Sequence, residues 1–171
     1  MGSVLKIIDA INEWIGKISS FLMAVMTLIV VYEVIMRYVF NAPTIWSFET
    51  TIMLYGSYFM LTAGYTLLNN AHVSVDFFYE TRTKRGKAIL DLISYFVFFF
   101  PFIFVILWEG AKYAAESWAI WEHSWSVFGP PLYPYKTVIP VTAFLLLIQG
   151  IAIFIRNLNI VFGKETPECS K

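Results

Sequence analysis

Four long apolar stretches, separated by short polar segments, dominate the pattern of hydrophobic and polar positions along the chain. They cover approximately residues 18–40, 45–68, 88–108 and 136–156. Each is long enough for a membrane-spanning helix, which needs about 20 mostly apolar residues. The sequence therefore predicts an all-α, polytopic membrane protein with four transmembrane helices that form a single domain over residues 1–171.

A different pattern precedes the first apolar stretch. Residues 3–17 carry apolar side chains at helical spacing, including Ile8, Ile11 and Ile15, with charged residues between them. Such an amphipathic pattern is typical of a helix at a membrane surface. We predict an N-terminal amphipathic segment that either lies along the interface or continues directly into the first span. At the other terminus, residues 164–171 form a polar tail.

Lys and Arg are distributed unevenly between the two sides of the predicted bundle. Most of them lie with the two termini and the 69–87 loop, and few lie in the segment 109–135. Loops rich in Lys and Arg remain in the cytoplasm, so both termini are predicted to be cytoplasmic. The segment 109–135 then faces outward. Its tryptophans and tyrosines predict an outward aromatic loop, or a short helix on the membrane surface, between spans three and four.

The basic residues of the 69–87 loop have two explanations. They would contact anionic lipid head groups, or they would only determine the topology, which is the simpler explanation. The residues concerned are Arg82, Lys84, Arg85 and Lys87.

Composition excludes several classes of function. The chain is 58% hydrophobic with a formal net charge of zero, which gives no support for a nucleic-acid partner. Its single cysteine, Cys169, excludes an intramolecular disulfide and a cysteine metal cluster. Two histidines are too few for a bis-haem bundle. Without a phosphate-binding glycine loop or a catalytic motif, the sequence predicts a protein that is not an enzyme and holds no cofactor or metal.

Charged residues inside the predicted spans are candidates for a functional site, because lipid cannot solvate them. Glu33 and Arg37 are four residues apart and share a helix face. Arg37 and Glu49 flank an Asn-Ala-Pro turn at similar depth, so we expect them to pair across the hairpin, with Trp46 at the interface between them.

This hairpin network has two interpretations. It would serve as a proton relay or as a counter-ion for an anionic substrate, or it would fix the hairpin and a subunit interface. We favour the structural interpretation, because a charge that is paired within the chain needs no ligand to explain it.

His72 and Asp76 form a second candidate pair, on the cytoplasmic side. They would share a face if their segment were helical. Two such residues without a third ligand do not predict a metal site. A hydrogen-bonded pair at the membrane surface is expected instead.

Two functional classes remain open. One is a self-contained small ion-coupled transporter that acts as a homodimer with an intramembrane glutamate. The other is a non-catalytic membrane subunit. We favour the subunit, because the chain has neither an inverted repeat nor paired broken spans, and its charges group at one hairpin.

The motifs themselves support the subunit. RYVFNAPTIWSFE, residues 37–49, resembles the Arg-x-x-Phe…Pro-x-x-Trp-x-x-Glu signature of the small, DctQ-type membrane subunit of tripartite ATP-independent periplasmic (TRAP) transporters. HVSVDF, residues 72–77, is similar to a second marker of that family. Length, the four predicted spans and the cytoplasmic termini also agree, so the resemblance covers essentially the whole chain.

The resemblance implies a bacterial inner-membrane system for uptake of small organic anions, carboxylates or sulfonates. In that family a periplasmic binding protein delivers the substrate, and a large membrane subunit of the elevator type holds the substrate and sodium sites. The small subunit would be a static scaffold without substrate-binding residues of its own. By this resemblance Arg37, Trp46 and Glu49 are hairpin and subunit-contact residues, and His72 and Asp76 are positional markers.

The outward segment carries a further hypothesis. Its charged residues would help to dock the periplasmic binding protein. They are Glu109, Lys112, Glu116 and Glu122.

Overall fold

The structure is a computed structural model that describes residues 2–69 and 83–163. This part of the chain is all-α, as predicted. Its helices are α1 (Gly2–Tyr38), α2 (Ser47–Leu61), α3 (Ala63–Leu68), α4 (Lys84–Ser94), α5 (Phe100–Ala119) and α6 (Tyr133–Val161), with a π-helical turn at Tyr95–Phe99 between α4 and α5.

Three helical segments are long and apolar enough to cross a membrane, namely Val4–Tyr38, Arg85–Ala119 and Tyr133–Val161. The predicted second span is instead divided into α2 and α3 at Thr62. The Thr62 hydroxyl donates to the carbonyl oxygens of Tyr58 and Phe59, at 2.8 and 3.2 Å. A threonine that bonds back to the preceding turn bends a helix. The number of four spans therefore stays a prediction.

Helix α1 runs without a break for 37 residues, or about 55 Å, well beyond the ~30 Å of a hydrocarbon core. Of the two arrangements open for the N-terminal segment, the structure has the continuous helix. Its packed face carries Leu5, Asn12 and Ser19, seven residues apart and all buried. Of the isoleucines in the amphipathic pattern, Ile8 and Ile15 are partly buried and Ile11 is exposed.

Helix α6 is the centre of the bundle and packs against every other described helix. Small residues allow the close approach. A Cβ on Gly110 would lie 2.9 Å from Cγ2 of Ile139, and one on Gly150 would overlap the ring of Phe99. Gly56 on α2 and Gly64 on α3 also allow close approach. A Cβ on Gly56 would overlap the Tyr135 hydroxyl, and one on Gly64 would overlap Oδ1 of Asn12. Small residues such as glycine are common where membrane helices pack closely, because they let the backbones approach each other.

The π-helical turn lies directly before Pro101, which occupies the first turn of α5. Proline has no N–H to donate and its ring collides with the carbonyl four residues earlier. The wider turn at Tyr95–Phe99 is a known way for a continuous helix to absorb such an irregularity.

The segment 109–135, which was predicted to face outward, differs from its predicted structure. Residues 109–119 extend α5, so they do not form a separate helix on the membrane surface. Residues 120–132, here called the aromatic hairpin, turn back towards α6. Ser124 N–H donates to the Pro130 carbonyl and Leu132 N–H to the Glu122 carbonyl, each at 2.9 Å. Long spanning helices on both sides leave only this short connection.

Candidate functional site

The first polar cluster, here called the turn cluster, consists of Glu33, Arg37 and Thr44. Arg37 donates from Nη2 and Nε to Oε1 of Glu33, at 2.7 and 3.1 Å. Thr44 donates its backbone N–H, at 3.1 Å, and its hydroxyl to Oε2 of Glu33. Both carboxylate oxygens of Glu33 are therefore engaged, and they tie the end of α1 to the following turn.

The predicted ion pair between Arg37 and Glu49 is wrong. Arg37 is bound to Glu33 on its own helix, where the four-residue spacing puts the two side chains together. Glu49 lies in the first turn of α2, and its buried Oε2 has no hydrogen-bond partner among the described residues. A carboxylate in the first turn of a helix is stabilised by the helix dipole instead of by a guanidinium.

Trp46 lies between the turn and α2 and stacks on Tyr32 of α1, with ring centroids 6.0 Å apart. Beside it, a groove of about 280 Å³ runs between α1 and α2. Glu33 and Arg37 contribute its polar wall, and the Arg37 side chain is 54% exposed. The other lining residues are Val30, Val34, Tyr38, Ser47, Phe48 and Thr51.

A second polar cluster, here called the interhelix cluster, joins α1 to α6 near the chain termini. Asn12 donates to Oε1 of Gln149 at 2.9 Å, and Gln149 donates to Oδ1 of Asp9 at 3.1 Å. Arg156 donates to the other oxygen of Asp9. Gln149 is 0% exposed and Asn12 is 1% exposed. Each amide thus has partners in a place that water does not reach.

The interhelix cluster was not predicted from the sequence. One signal was available, because Asn12 interrupts a buried stripe that contains Leu5 and Ser19. The partner of Asn12 lies 137 residues away, and no local spacing reveals it.

The two clusters bracket the apolar part of α1. Between Asn12 and Glu33 the helix rises about 32 Å, close to the thickness of a hydrocarbon core. The polar groups of α1 therefore lie at the two edges of the apolar layer, and the residues between them include no charged side chain other than Glu13 and Lys17, near its start.

A third polar contact holds the aromatic hairpin. Lys136, buried at the start of α6, donates to Glu122 and lies 4.0 Å from the centroid of the Tyr113 ring. The hydrogen bond from Lys136 lowers the pKa of Glu122 from its usual value. Trp118 adds a bond from Nε1 to the Thr137 hydroxyl, at 2.8 Å.

The residues predicted to dock a binding protein separate into two groups. Glu122 is engaged inside the chain by Lys136. Glu109 and Lys112 form an exposed pair at 3.0 Å, and Glu116 is exposed on the same helix.

The predicted cytoplasmic candidates are only partly visible. His72, Asp76 and Arg82 lie outside the described residues. Arg85 donates from Nε and Nη2 to the Val161 carbonyl, at 3.1 and 2.9 Å, and so satisfies the end of α6. That guanidinium donates within the chain at an exposed position, and its contact with anionic lipid stays a prediction.

Long apolar helices whose polar groups pair within the bundle define a multi-pass membrane protein. The family model described as "Tripartite ATP-independent periplasmic transporters, DctQ component" matches residues 26–159. The chain belongs to this family of transporter components. The match includes the turn cluster and both α6 members of the interhelix cluster, and it begins after Asp9 and Asn12.

A curated relative agrees with this assignment. The chain is 28% identical over 86 residues to the "C4-dicarboxylate TRAP transporter small permease protein DctQ" of Vibrio cholerae. The aligned region covers 50% of this chain and 36% of the relative. The chain thus spans about a third of the length of the relative it matches.

Proposed function

We propose that this chain is the small membrane subunit of a TRAP transporter and acts as a static scaffold for a large elevator-type subunit. The transporter would use the sodium gradient to take up small organic anions, carboxylates or sulfonates, delivered by a periplasmic binding protein. The name of the relative makes a C4-dicarboxylate one candidate substrate. Sodium and substrate sites would lie on the large subunit.

One observation carries this proposal. The two oxygens of Glu33 already accept bonds from Arg37 and Thr44, so Glu33 has no free carboxylate oxygen for an ion or a substrate. Oε2 of Glu49 has no partner among the described residues, but it is buried in the first turn of α2. A small transporter that works as a homodimer would need a carboxylate that an ion can reach. Charges in a membrane protein that are paired within the chain favour a structural role.

The proposed topology has four spans in the bacterial inner membrane, with α2 and α3 together forming the second. Residues 47–68 would extend about 33 Å if the two helices are nearly collinear. The distribution of Lys and Arg supports cytoplasmic termini, which puts the turn cluster and the aromatic hairpin on the periplasmic side.

The groove between α1 and α2 is the proposed contact with the large subunit. It combines exposed apolar side chains, Phe48 and Val34, with the half-exposed guanidinium of Arg37. Arginine beside apolar side chains is typical of interfaces between proteins. Trp46 and Glu49 would hold the turn between α1 and α2 in the shape that this contact requires.

Three further proposals complete the assignment. Arg82, Lys84 and Lys87 would contact anionic lipid, and Glu109, Lys112 and Glu116 would help to dock the binding protein. His72 and Asp76 would form a hydrogen-bonded pair at the cytoplasmic surface.

Reconstitution of the transporter tests the proposed function. Vesicles with all three components should accumulate substrate, whereas vesicles without this chain should not, and the soluble binding protein should bind substrate with unchanged affinity. Uptake without this chain would contradict the scaffold role. Uptake by this chain alone would support the small-transporter alternative.

A pair of variants locates the contact. Glu33→Gln should weaken co-purification with the large subunit, because it loosens the wall of the groove. Glu13→Gln breaks a similar four-residue ion pair, Lys17 to Glu13 at 2.6 Å, on an exposed part of the same helix. This control should co-purify normally. Equal behaviour of the two variants would remove the groove from the proposed interface.

A further inference from the structure

The aromatic hairpin is a firmly built element. Beyond its two backbone bonds, Ser126 Oγ accepts from Gly129 N–H at 3.1 Å, and Gly129 takes the left-handed conformation, with φ of 57°, that closes the turn. At its base Trp118 and Tyr133 pack with ring centroids 4.5 Å apart. A hairpin with these restraints presents its tip in a defined position.

The tip of this hairpin is apolar and bare. Trp125 is fully exposed, Val127 is 90% exposed, and Phe128 is exposed beside them. Residues 124–135 contain no charged side chain. Exposing large apolar side chains on an ordered element is unfavourable in water, and such patches mark contact with a partner or a membrane.

The position of the hairpin base indicates what covers the tip. Tyr133 begins α6 at the edge of the apolar span, and Trp121 packs on it with centroids 5.2 Å apart. Tyrosine and tryptophan concentrate at the level of lipid head groups. Trp125 lies four residues after Trp121 along the chain, so it lies at most about 14 Å from that level. It is therefore within reach of the head-group layer.

Charge and continuity also favour lipid over a soluble protein. The charged groups nearest the hairpin, Glu122 and Lys136, are paired with each other at its base. The tip thus offers no charge for a soluble partner to complement. Exposed apolar side chains continue from the tip to the base of the hairpin, where Trp121 and Trp118 are exposed.

We propose that Trp125, Val127 and Phe128 insert into the lipid leaflet at this end of the bundle and anchor the connection between α5 and α6. The anchor would fix the depth of these two helices, which pack closely at Gly110. This inference concerns the lipid contact alone, and it holds whether or not the chain is a scaffold for a transporter.

Site-directed fluorescence in vesicles tests the anchor. The full chain carries Cys169→Ser to remove its single cysteine and Trp125→Cys to attach an environment-sensitive fluorophore. Because Trp125 is fully exposed, the change disturbs no packing in the chain. In vesicles of phosphatidylethanolamine and phosphatidylglycerol, we expect a blue-shifted emission, quenching by nitroxide-labelled lipid, and protection from aqueous iodide.

The matched control is Ala42→Cys, in the exposed turn between α1 and α2 at the same end of the bundle. Its label should emit as in water and be quenched by iodide. A label at position 125 that behaves like the one at position 42 would overturn the anchor. So would a label that is exposed in vesicles and becomes shielded only when the soluble binding protein is added, because that result identifies a protein as the occupant.

Discussion

The turn cluster and the interhelix cluster satisfy polar groups at opposite ends of the same helix, but they do so over different distances along the chain. The turn cluster joins residues at most 11 positions apart, whereas the interhelix cluster joins residues 137 to 147 positions apart. The first can form with a single hairpin. The second exists only when the first and last helices have met, so it reports on the closed bundle.

The clusters also differ in their contact with the surroundings. Arg37 of the turn cluster is half exposed, while Asn12 and Gln149 are fully enclosed. A group that reaches its surroundings can find another partner when its first one is removed. A group enclosed by protein cannot, and it retains the full cost of desolvation. We therefore expect the interhelix cluster to be more sensitive to substitution.

The largest effect is expected for Gln149→Leu. This change removes an acceptor from Asn12 and a donor from Asp9. Each buried group left without a partner costs about 1–3 kcal/mol of the free energy of unfolding. Unfolding of the purified chain in detergent measures the loss. The control, Asn69→Leu, deletes an exposed amide that, among the described residues, bonds to the nearby Tyr65 carbonyl, and it should cost less than about 0.5 kcal/mol.

The double variant Asn12→Leu/Gln149→Leu sharpens this prediction. Replacing both members of a buried pair by apolar groups of similar size costs less than breaking the pair. The double variant should therefore be less destabilised than the two single changes together. Additive losses would mean that the amides do not interact in the folded protein.

A somewhat smaller effect is expected for Gly64→Ala, which acts on the same cluster through sterics. The new methyl group would overlap Oδ1 of Asn12 and push that amide away from Gln149. Overpacking of this kind typically costs about 1–3 kcal/mol. Detergent unfolding and the mobility of the folded chain in gel filtration report the change.

Coupling with Asn12 tests the cause. Once Asn12→Ala has removed the obstructing amide, adding Gly64→Ala should cost little, because contacting residues show non-additive effects. A full additional loss would show that Gly64 is needed for some other contact.

A smaller effect is expected for charge reversal at the turn between α1 and α2. It tests whether Arg37 pairs with Glu33 or with Glu49. If Arg37 and Glu49 were partners, the double reversal Arg37→Glu/Glu49→Arg would restore what either single reversal loses. The structure predicts no rescue, because the new carboxylate on α1 would face Glu33 one turn away, and the new guanidinium would lie at the positive end of α2. Co-purification with the large subunit and detergent unfolding measure the outcome. Rescue by the double reversal would support the original pairing across the turn.

The same contrast explains what the sequence could predict. Hydrophobic runs gave the helical class and the approximate limits of α1 and α6, since helix formation in lipid is dictated by backbone satisfaction. Glu33 and Arg37 were found because their spacing is local. Gln149 and Asn12 were missed as a pair, because complementary amides at distant positions leave no periodic signal. The division at Thr62 was also missed, because Thr27 and Thr51 bond back to their own helices in the same way without a break, so a threonine in the sequence does not mark one.

Glu122 and Lys136 are 14 positions apart, a separation between those of the two clusters, and we expect the smallest effect from this pair. Lys136 lowers the pKa of Glu122 from 4.5, so the unfolded carboxyl takes up a proton at a higher pH than the folded one. The stabilisation is therefore present above pH 4.5 and is lost as the pH falls through the lowered pKa.

Tryptophan fluorescence of the hairpin, followed from pH 7 to acid, should change only below about pH 4.5. In Lys136→Met the carboxyl should titrate nearer 4.5, since its donor is gone. An identical transition in both proteins would mean that the hairpin is held by its aromatic packing alone.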